Sequence, residues 1–443
     1  MRVRLEWREM IVGVGTNSSF QVRWQSPDLP SPTIVTADAK PGGSGWIMVN
    51  QTIATATNKP PYIVQSMEEI RSMPWNGLRV ASTFSGCGGS CTGYRMAGYK
   101  VVWANEFVPA AQDSYKANAA PDCILDPRDI RMVKPEDILA ATGLKAGELD
   151  LFDGSPPWQA FSTAGKREKG WGKAKTYEHG ASQCNETLFD EYIRLLRGLQ
   201  PKVFVAENVS GLVKGTAKGM FLQILAAMKA SGYRVTCRVL DAQWLGVPQQ
   251  RQRTIFIGVR EDLNLEPVHP KPLPYRYSVR DALPWIGRVV QDPNGQFNIQ
   301  DQDSDDPYFA IKAQSSHHIK VEAETDISRY AIGKEWDKLK EGEQSAKYFS
   351  CVKVDSEKPC NSIMASSGGF PSAGQPLHPT ERRKFTIAEL KRICAFPDDF
   401  ILTGSYAQQW ERLGNSVPPV MMRAIAETIR DNILKKADNR NGR

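Results

Sequence analysis

Short apolar runs, separated by turn residues and amphipathic stretches, set the pattern of this chain. The runs at 78–84, 101–106 and 203–209 have the length and the β-branched content of buried strands. Residues 149–152 end a fourth run of this kind, and residues 185–199 carry apolar side chains at helical spacing. Strands that alternate with helices predict an α/β protein with a parallel sheet.

A glycine-rich turn follows the first run, in the sequence Phe84-Ser-Gly-Cys-Gly-Gly89. The next strand ends in Glu106, which gives a βαβ unit with its glycines at the first turn. Glycine there lets the backbone approach a ligand, and a strand-end acid can hold ribose hydroxyls. The turn alone would fit many nucleotide-binding proteins. Because the pattern is not GxGxxG, we expect an adenosine cofactor other than a nicotinamide dinucleotide.

Two consecutive prolines stiffen the loop after the strand that ends near Phe152, in the sequence Gly154-Ser-Pro-Pro157. Proline lacks the backbone donor and fixes φ, so this loop should end the sheet pairing and hold the next side chain still. Open α/β sheets bind their ligands at this carboxyl edge. The residue presented there is Trp158, whose indole is not a nucleophile.

A long polar segment from 161 to 184 comes next and is rich in lysine and glycine. Segments of this length without apolar periodicity are usually functional or disordered. A solvated charge run is the simple interpretation. The position directly after the proline loop favours a mobile lid that contacts phosphates.

Composition changes after Arg260, where closely spaced prolines open a region with little periodicity. A capping box at Thr386-Ile-Ala-Glu389 predicts a helix from about 387 to 395, and Pro418 suits the first turn of a last helix. We therefore divide the chain into an N-terminal extension of unclear role (1–76), a catalytic and cofactor-binding domain (77–261), an irregular second domain (262–375), a segment returning to the catalytic domain (376–434) and a frayed tail (435–443).

Composition narrows the class of protein. The 443 residues carry a net charge of +7, which suits a polyanionic partner but equally an ordinary, mildly basic enzyme. Eight cysteines without CxxC spacing and five histidines predict neither structural zinc nor a disulfide framework. Since the sequence has neither an apolar run of membrane-spanning length nor a signal-peptide pattern, we expect a cytoplasmic protein, with no metal and no membrane partner.

The order of these motifs resembles that of the DNA (cytosine-5)-methyltransferases over roughly residues 78–434. The resemblance implies a Rossmann-like, S-adenosylmethionine-dependent methyltransferase fold, a mixed sheet with helices on both faces and a smaller target-recognition domain at 262–375. It also implies S-adenosylmethionine as cofactor, double-stranded DNA as partner, a monomer, and a bacterial or phage-type restriction-modification context. RNA methylation on the same fold is a less favoured alternative.

The resemblance also assigns roles to individual residues. The cofactor would be held by Phe84, Gly86, Gly88, Gly89, Glu106, Asp129, Ile130, Asn415 and Ser416. The target base would be held by Glu207, Arg251 and Arg253, and we expect the two arginines to act together because they share one face of their segment. DNA would be contacted by Gln159, Ser162, Lys166, Arg167 and Lys169.

The departure from the family lies at the nucleophile. In the family a cysteine thiolate adds to carbon 6 of the flipped cytosine, and this activates carbon 5. The family's Pro-Cys-Gln is Pro157-Trp158-Gln159 here, so methyl transfer should be lost or severely reduced. Two alternatives stay open: another thiol, with Cys184 the best placed, or an inactive, sequence-specific DNA-binding protein on the same scaffold.

Overall fold

The computed structural model describes most of the chain from residue 59 onward. The described ranges are 59–157, 188–213, 218–286, 323–348, 351–367 and 376–441. Six further short strands form three two-stranded ribbons: Gly13–Val14 with Phe20–Gln21, Lys175–Thr176 with Ser182–Gln183, and Val289–Gln291 with Phe297–Ile299.

One seven-stranded mixed sheet organises the described residues. Its strands are β1 (Arg79–Thr83), β2 (Lys100–Asn105), β3 (Ile124–Asp126), β4 (Leu151–Gly154), β5 (Val203–Val209), β6 (Tyr233–Asp241) and β7 (Gln252–Arg260). Their spatial order is β6-β7-β5-β4-β1-β2-β3. The five strands from β5 to β3 are parallel, whereas β7 runs antiparallel to both β5 and β6.

Twelve α-helices accompany the sheet in the described ranges. They are α1 (Met67–Arg71), α2 (Gly89–Met96), α3 (Pro109–Asn118), α4 (Pro135–Thr142), α5 (Leu188–Leu199), α6 (Lys218–Lys229), α7 (Val279–Ala282), α8 (Ala331–Trp336), α9 (Ile387–Ile393), α10 (Tyr406–Asn415), α11 (Pro419–Ile429) and α12 (Lys435–Asn441).

Apolar side chains form a core on each face of the sheet, because alternate residues of a strand point to opposite faces. Val80 belongs to the core that contains α2 and α11, whereas the next residue, Ala81, belongs to the core that contains α5 and α6. Helices on both faces of a mixed sheet confirm the predicted fold class.

Helices α2 and α11 approach closely on the first face. A Cβ at Gly93 would lie 2.5 Å from the carbonyl oxygen of Pro419 and 2.6 Å from Cβ of Met422. Only glycine leaves room for this contact, which fixes the C-terminal segment against the helix that follows the glycine-rich turn.

Three local predictions were wrong. Strand β4 continues through Gly154, which pairs with Thr83 and Ala206, so sheet pairing stops one residue later than the loop pattern suggested. The apolar run at 123–125 predicts Asp129 as a third strand-end acid, but the acid that ends β3 is Asp126. The predicted frayed tail is helical as α12, because Ala437 is buried against the main core.

The region after Arg260 is irregular, but parts of it pack into the core of the sheet domain. Residues 277–286 and 354–363 contribute side chains to the first core. A third, smaller cluster is formed by Ile327, Ile332, Cys351 and Leu377. The boundaries 262 and 375 of a target-recognition domain stay a prediction.

Candidate active site

A cavity of about 450 Å³ lies at the carboxyl ends of the parallel strands. The turn after β1, the end of β2, the proline loop after β4 and the end of β5 each contribute part of its wall. The end of α10 closes the remaining side, so residues from 84 to 417 meet there. The motifs singled out in the sequence thus come together in space.

Backbone conformation explains the glycines of the first turn. Gly86 and Gly88 have φ of 57° and 96°, in the left-handed region that glycine adopts without strain. A Cβ at Gly89 would lie 2.6 Å from the carbonyl oxygen of Val417. The turn is therefore held directly against the C-terminal segment. Phe84, which opens the turn, also has a positive φ, 53°.

Glu106 links this turn to the end of β2. Its carboxylate accepts hydrogen bonds from the backbone nitrogens of Gly86, at 2.8 Å, and Val108, at 2.7 Å. Burial raises the pKa of Glu106, and the two backbone donors and the charge of Arg412 partly oppose that rise. The carboxylate lines the cavity, where its remaining lone pairs can accept from a ligand hydroxyl.

The resemblance places Asp129 and Ile130 near the adenine ring of the cofactor, but the two residues differ in position. Ile130 lines the cavity, whereas Asp129 is not among the lining residues. The Asp129 carboxylate accepts from Arg131, with Nη2 at 2.6 Å, and also caps the short 3-10 helix Ile130–Met132. The role of Asp129 toward a cofactor stays a prediction.

Asn208 fixes the start of the proline loop. Its side-chain amide donates to the carbonyl oxygen of Pro156 at 3.1 Å, although the two residues are far apart in sequence. The loop is thereby tied to the end of β5. Trp158, together with Gln159, Ser162, Lys166, Arg167, Lys169 and Cys184, lies outside the described residues.

Glu207 and Arg253 form an ion pair in the cavity wall. Nε of Arg253 lies 2.8 Å from a carboxylate oxygen of Glu207, and both side chains are largely buried. Burial lowers the pKa of Arg253, and Glu207 opposes this effect. The antiparallel pairing of β5 with β7 brings the two residues together, a contact that sequence order alone does not reveal.

Arg251 has a different environment from Arg253. It is fully buried, it does not line the cavity, and its Nη2 donates to the carbonyl oxygen of Gly414 at 2.8 Å. Arg251 therefore joins β7 to the end of α10. Arg253 lines the cavity and Arg251 does not, and the expectation that the two arginines act together stays a prediction.

The closing motif contributes Asn415 and Ser416 to the cavity wall. The hydroxyl of Ser416 donates to the carbonyl oxygen of Arg412 at 2.6 Å and lies 3.1 Å from the sulfur of Cys87. This contact connects the C-terminal segment with the glycine-rich turn.

Sequence reasoning missed a buried acid behind the cavity. Asp153 accepts hydrogen bonds from the hydroxyls of Ser82, at 2.9 Å, and Tyr94, at 3.0 Å. Burial raises its pKa to about 7. Ser82 in turn contacts the hydroxyl of Ser85, which lines the cavity. The sequence signal for this residue was its position, because Asp153 lies between the apolar residues of the strand and the proline loop.

Within the described ranges, no three His, Cys, Asp or Glu side chains cluster so that they could hold a metal ion. No helix of this part of the chain is both long and apolar enough to cross a membrane.

The sheet order and the cavity at its carboxyl edge define an α/β methyltransferase fold, and solved structures share it. A putative DNA modification methyltransferase encoded within a prophage of E. coli superposes with a TM-score of 0.61 at 21% identity, over 81% of this chain and 100% of that one. Spodoptera frugiperda DNMT2 superposes with a TM-score of 0.53 at 18% identity, over 82% of this chain and 100% of that one. These likenesses concern the fold.

Sequence comparison identifies the family. The family described as C-5 cytosine-specific DNA methylase matches residues 78–431, so the chain belongs to it. Type II methyltransferase M.NgoFVII of Neisseria gonorrhoeae is 30% identical over 360 residues, which is 80% of this chain and 87% of that protein. M.NgoPII of the same organism is 27% identical over 378 residues, or 83% and 99%. The resemblance found in the sequence is confirmed.

Proposed function

We propose that this DNA (cytosine-5)-methyltransferase binds S-adenosylmethionine in the cavity and flips a cytosine from duplex DNA toward Glu207. We further propose that Trp158 abolishes or severely reduces methyl transfer. One observation carries the proposal: a single cavity is lined both by the glycine turn with Glu106 and by the Glu207–Arg253 ion pair.

The cofactor half of the proposal is supported by the shape and chemistry of the cavity. Its volume falls within the range of about 300–1,000 Å³ that ligand sites occupy. Glu106 offers buried acceptors for ribose hydroxyls, and the glycine turn exposes backbone beside it. S-adenosylmethionine would supply a methyl group on a positively charged sulfur.

The base half of the proposal is supported by the paired charges. Glu207 can hold nitrogen 3 of a flipped cytosine, and Arg253 keeps the Glu207 carboxylate in place through their 2.8 Å contact. In the family a thiolate forms a bond to carbon 6 and passes electron density to carbon 5. An indole has no such lone pair, so Trp158 cannot start this step.

The proposed DNA contacts are supported by charge and by the position of the proline loop. Lys166, Arg167 and Lys169 would contact phosphates beside the flipped base, and residues 262–375 would read the sequence. Removing a base from the stack costs a few kcal/mol. Gln159 and Ser162 follow the loop that Asn208 holds, and we assign them to the DNA side.

Trp158 also favours a second function. A chain that keeps the cavity and the base-holding pair but lacks the nucleophile would bind a specific DNA site without modifying it. Such a protein would be a catalytically inactive DNA-binding member of the family.

The test is transfer of labelled methyl groups to duplex DNA by the natural chain, Trp158→Cys and Trp158→Ser. We expect transfer only by Trp158→Cys, because serine restores space but not a thiolate. Transfer by all three would refute the proposed role of Trp158 and make Cys184 the next residue to change. If none transfers but the natural chain binds both cofactor and duplex DNA, the binding function is favoured.

A further inference from the structure

Arg412 is a buried cation in the wall of the same cavity. It lies in the last turn of α10, only 8% exposed, and its side chain lines the cavity beside Asn415 and Ser416. Arg412 lies outside the motifs that the sequence shows. A guanidinium in such a place carries five donors that need acceptors.

The protein itself provides Arg412 with little compensation. Among the described residues its one ion pair joins Nη1 to Glu411 at 3.5 Å, and the Glu411 side chain is 39% exposed. Nε of Arg412 is buried without a hydrogen-bond partner. Arg253, the other arginine of the cavity wall, differs because Glu207 lies 2.8 Å from it. A buried cation that is not fully paired is costly unless an anion arrives.

The surroundings of Arg412 indicate which part of a ligand it would meet. Its carbonyl oxygen accepts from Ser416, whose hydroxyl also touches Cys87 of the glycine turn. The Arg412 charge opposes the raised pKa values of Glu106 and Cys87, so the guanidinium lies near both side chains. Glu106 is already occupied by two backbone donors and by its proposed ribose contact.

We infer that Arg412 binds the carboxylate of the amino-acid arm of S-adenosylmethionine. This inference rests on the proposed cofactor. In that molecule the carboxylate is the one anionic group, since adenine and ribose are neutral and the sulfur and amino group are positive. A guanidinium can take a carboxylate through two parallel hydrogen bonds, which the two Nη groups of Arg412 would donate here.

The alternative partner for this guanidinium is a DNA phosphate. The burial of Arg412 argues against it, because a phosphate of the duplex backbone is reached from the open surface. Among the described residues, its neighbours belong to the glycine turn and the closing motif.

The experiment compares two ligands that differ only in the carboxylate. They are S-adenosylhomocysteine and its decarboxylated analogue, in which hydrogen replaces that group. Calorimetry would measure both affinities for the natural full-length chain, Arg412→Met and Arg412→Lys. Arg423→Met is the matched control, because Arg423 lies on α11 and its side chain is 33% exposed. Duplex DNA affinity is measured in parallel.

We expect the natural chain to favour S-adenosylhomocysteine by about 10- to 100-fold, the size of a charge-assisted hydrogen bond. Arg412→Met should lose this preference while binding the decarboxylated analogue as before. Arg412→Lys should keep part of it, and Arg423→Met all of it. Retained binding of the analogue shows that Arg412→Met is folded.

Two results would overturn the inference while leaving the proposed cofactor intact. One is an unchanged preference in Arg412→Met. The other is weakened DNA binding with the ligand preference intact, which would assign the guanidinium to a phosphate. If the natural chain binds neither ligand, the proposed cofactor itself is refuted and the inference with it.

Discussion

Replacing Asp153 with asparagine should change how stability depends on pH. The Asp153 carboxyl is 1% exposed, and burial raises its pKa from 3.8 to about 7. Between these values the folded chain holds a proton that the unfolded chain has lost. Stability from this group is therefore complete below about pH 4 and is lost as pH rises to about 7. Each tenfold step in proton affinity is worth about 1.4 kcal/mol, so the loss approaches about 4 kcal/mol.

The amide introduced by Asp153→Asn cannot ionise, so the variant should lack this dependence. The amide resembles the protonated acid, because both have one carbonyl acceptor and one donor for the hydroxyls of Ser82 and Tyr94. The variant therefore keeps the hydrogen bonding of the protonated form at every pH. Relative to the natural chain, Asp153→Asn should gain about 3 kcal/mol of stability as pH rises from 5 to 8, because about two pH units of the shift lie in that range.

Urea unfolding of both full-length chains across this pH range measures the effect. Asp122→Asn serves as control, because Lys100 lowers the pKa of Asp122 and keeps its titration below the range. A difference in unfolding free energy between Asp153→Asn and the natural chain that stays constant from pH 5 to pH 8 would refute the reasoning.

Three further predictions concern packing and buried ion pairs. Gly93→Ala should lower the unfolding free energy, measured by urea unfolding, by about 1–3 kcal/mol, because the added Cβ would overlap the carbonyl oxygen of Pro419. An unchanged midpoint of urea unfolding would contradict the close contact of α2 and α11. Glu389→Gln should cost about 1.5–3 kcal/mol at pH 7, since it removes one of the carboxylates that hold the buried Arg383 at 2.8 Å, while Glu381 keeps its contact. The cost of Glu389→Gln should shrink in acid. Burial raises the pKa of Glu389, but the charge of Arg383 outweighs burial and holds the pKa below its ordinary value, so the natural chain loses the stability of this ion pair as pH falls. A cost that stays constant down to pH 3 would contradict this prediction. Arg251→Met should lower the melting temperature, because the buried carbonyl oxygen of Gly414 in α10 loses its donor. The affinity for S-adenosylhomocysteine should change little, and a large loss of affinity would instead place Arg251 in the cofactor site.

The parts of the fold that the sequence predicted are those determined by neighbouring residues. Strand β1, its glycine turn and the acid ending β2 form a continuous unit whose pattern is local. The capping box at Thr386 likewise predicted α9, because both hydrogen bonds of such a box lie within one turn.

The parts that escaped prediction depend on contacts between distant residues. Arg251 and Arg253 differ in their contacts because Gly414 and Glu207, far away in sequence, accept from them. Asp153 could not be paired with Tyr94 before the sheet order was known. The helix α12 forms because the core reaches Ala437, although its own sequence is polar.

The closure of the cavity by α10 has a consequence for synthesis of the protein. Glu106 and the glycine turn leave the ribosome early, whereas Arg412, Asn415 and Ser416 emerge about 300 residues later. At bacterial and eukaryotic elongation rates this delay is about 15–60 s. A nascent chain interrupted before α10 would lack one wall of the cavity, so capture of the ligand must wait for the end of translation. Premature termination before α10 would then leave fragments without the complete ligand cavity.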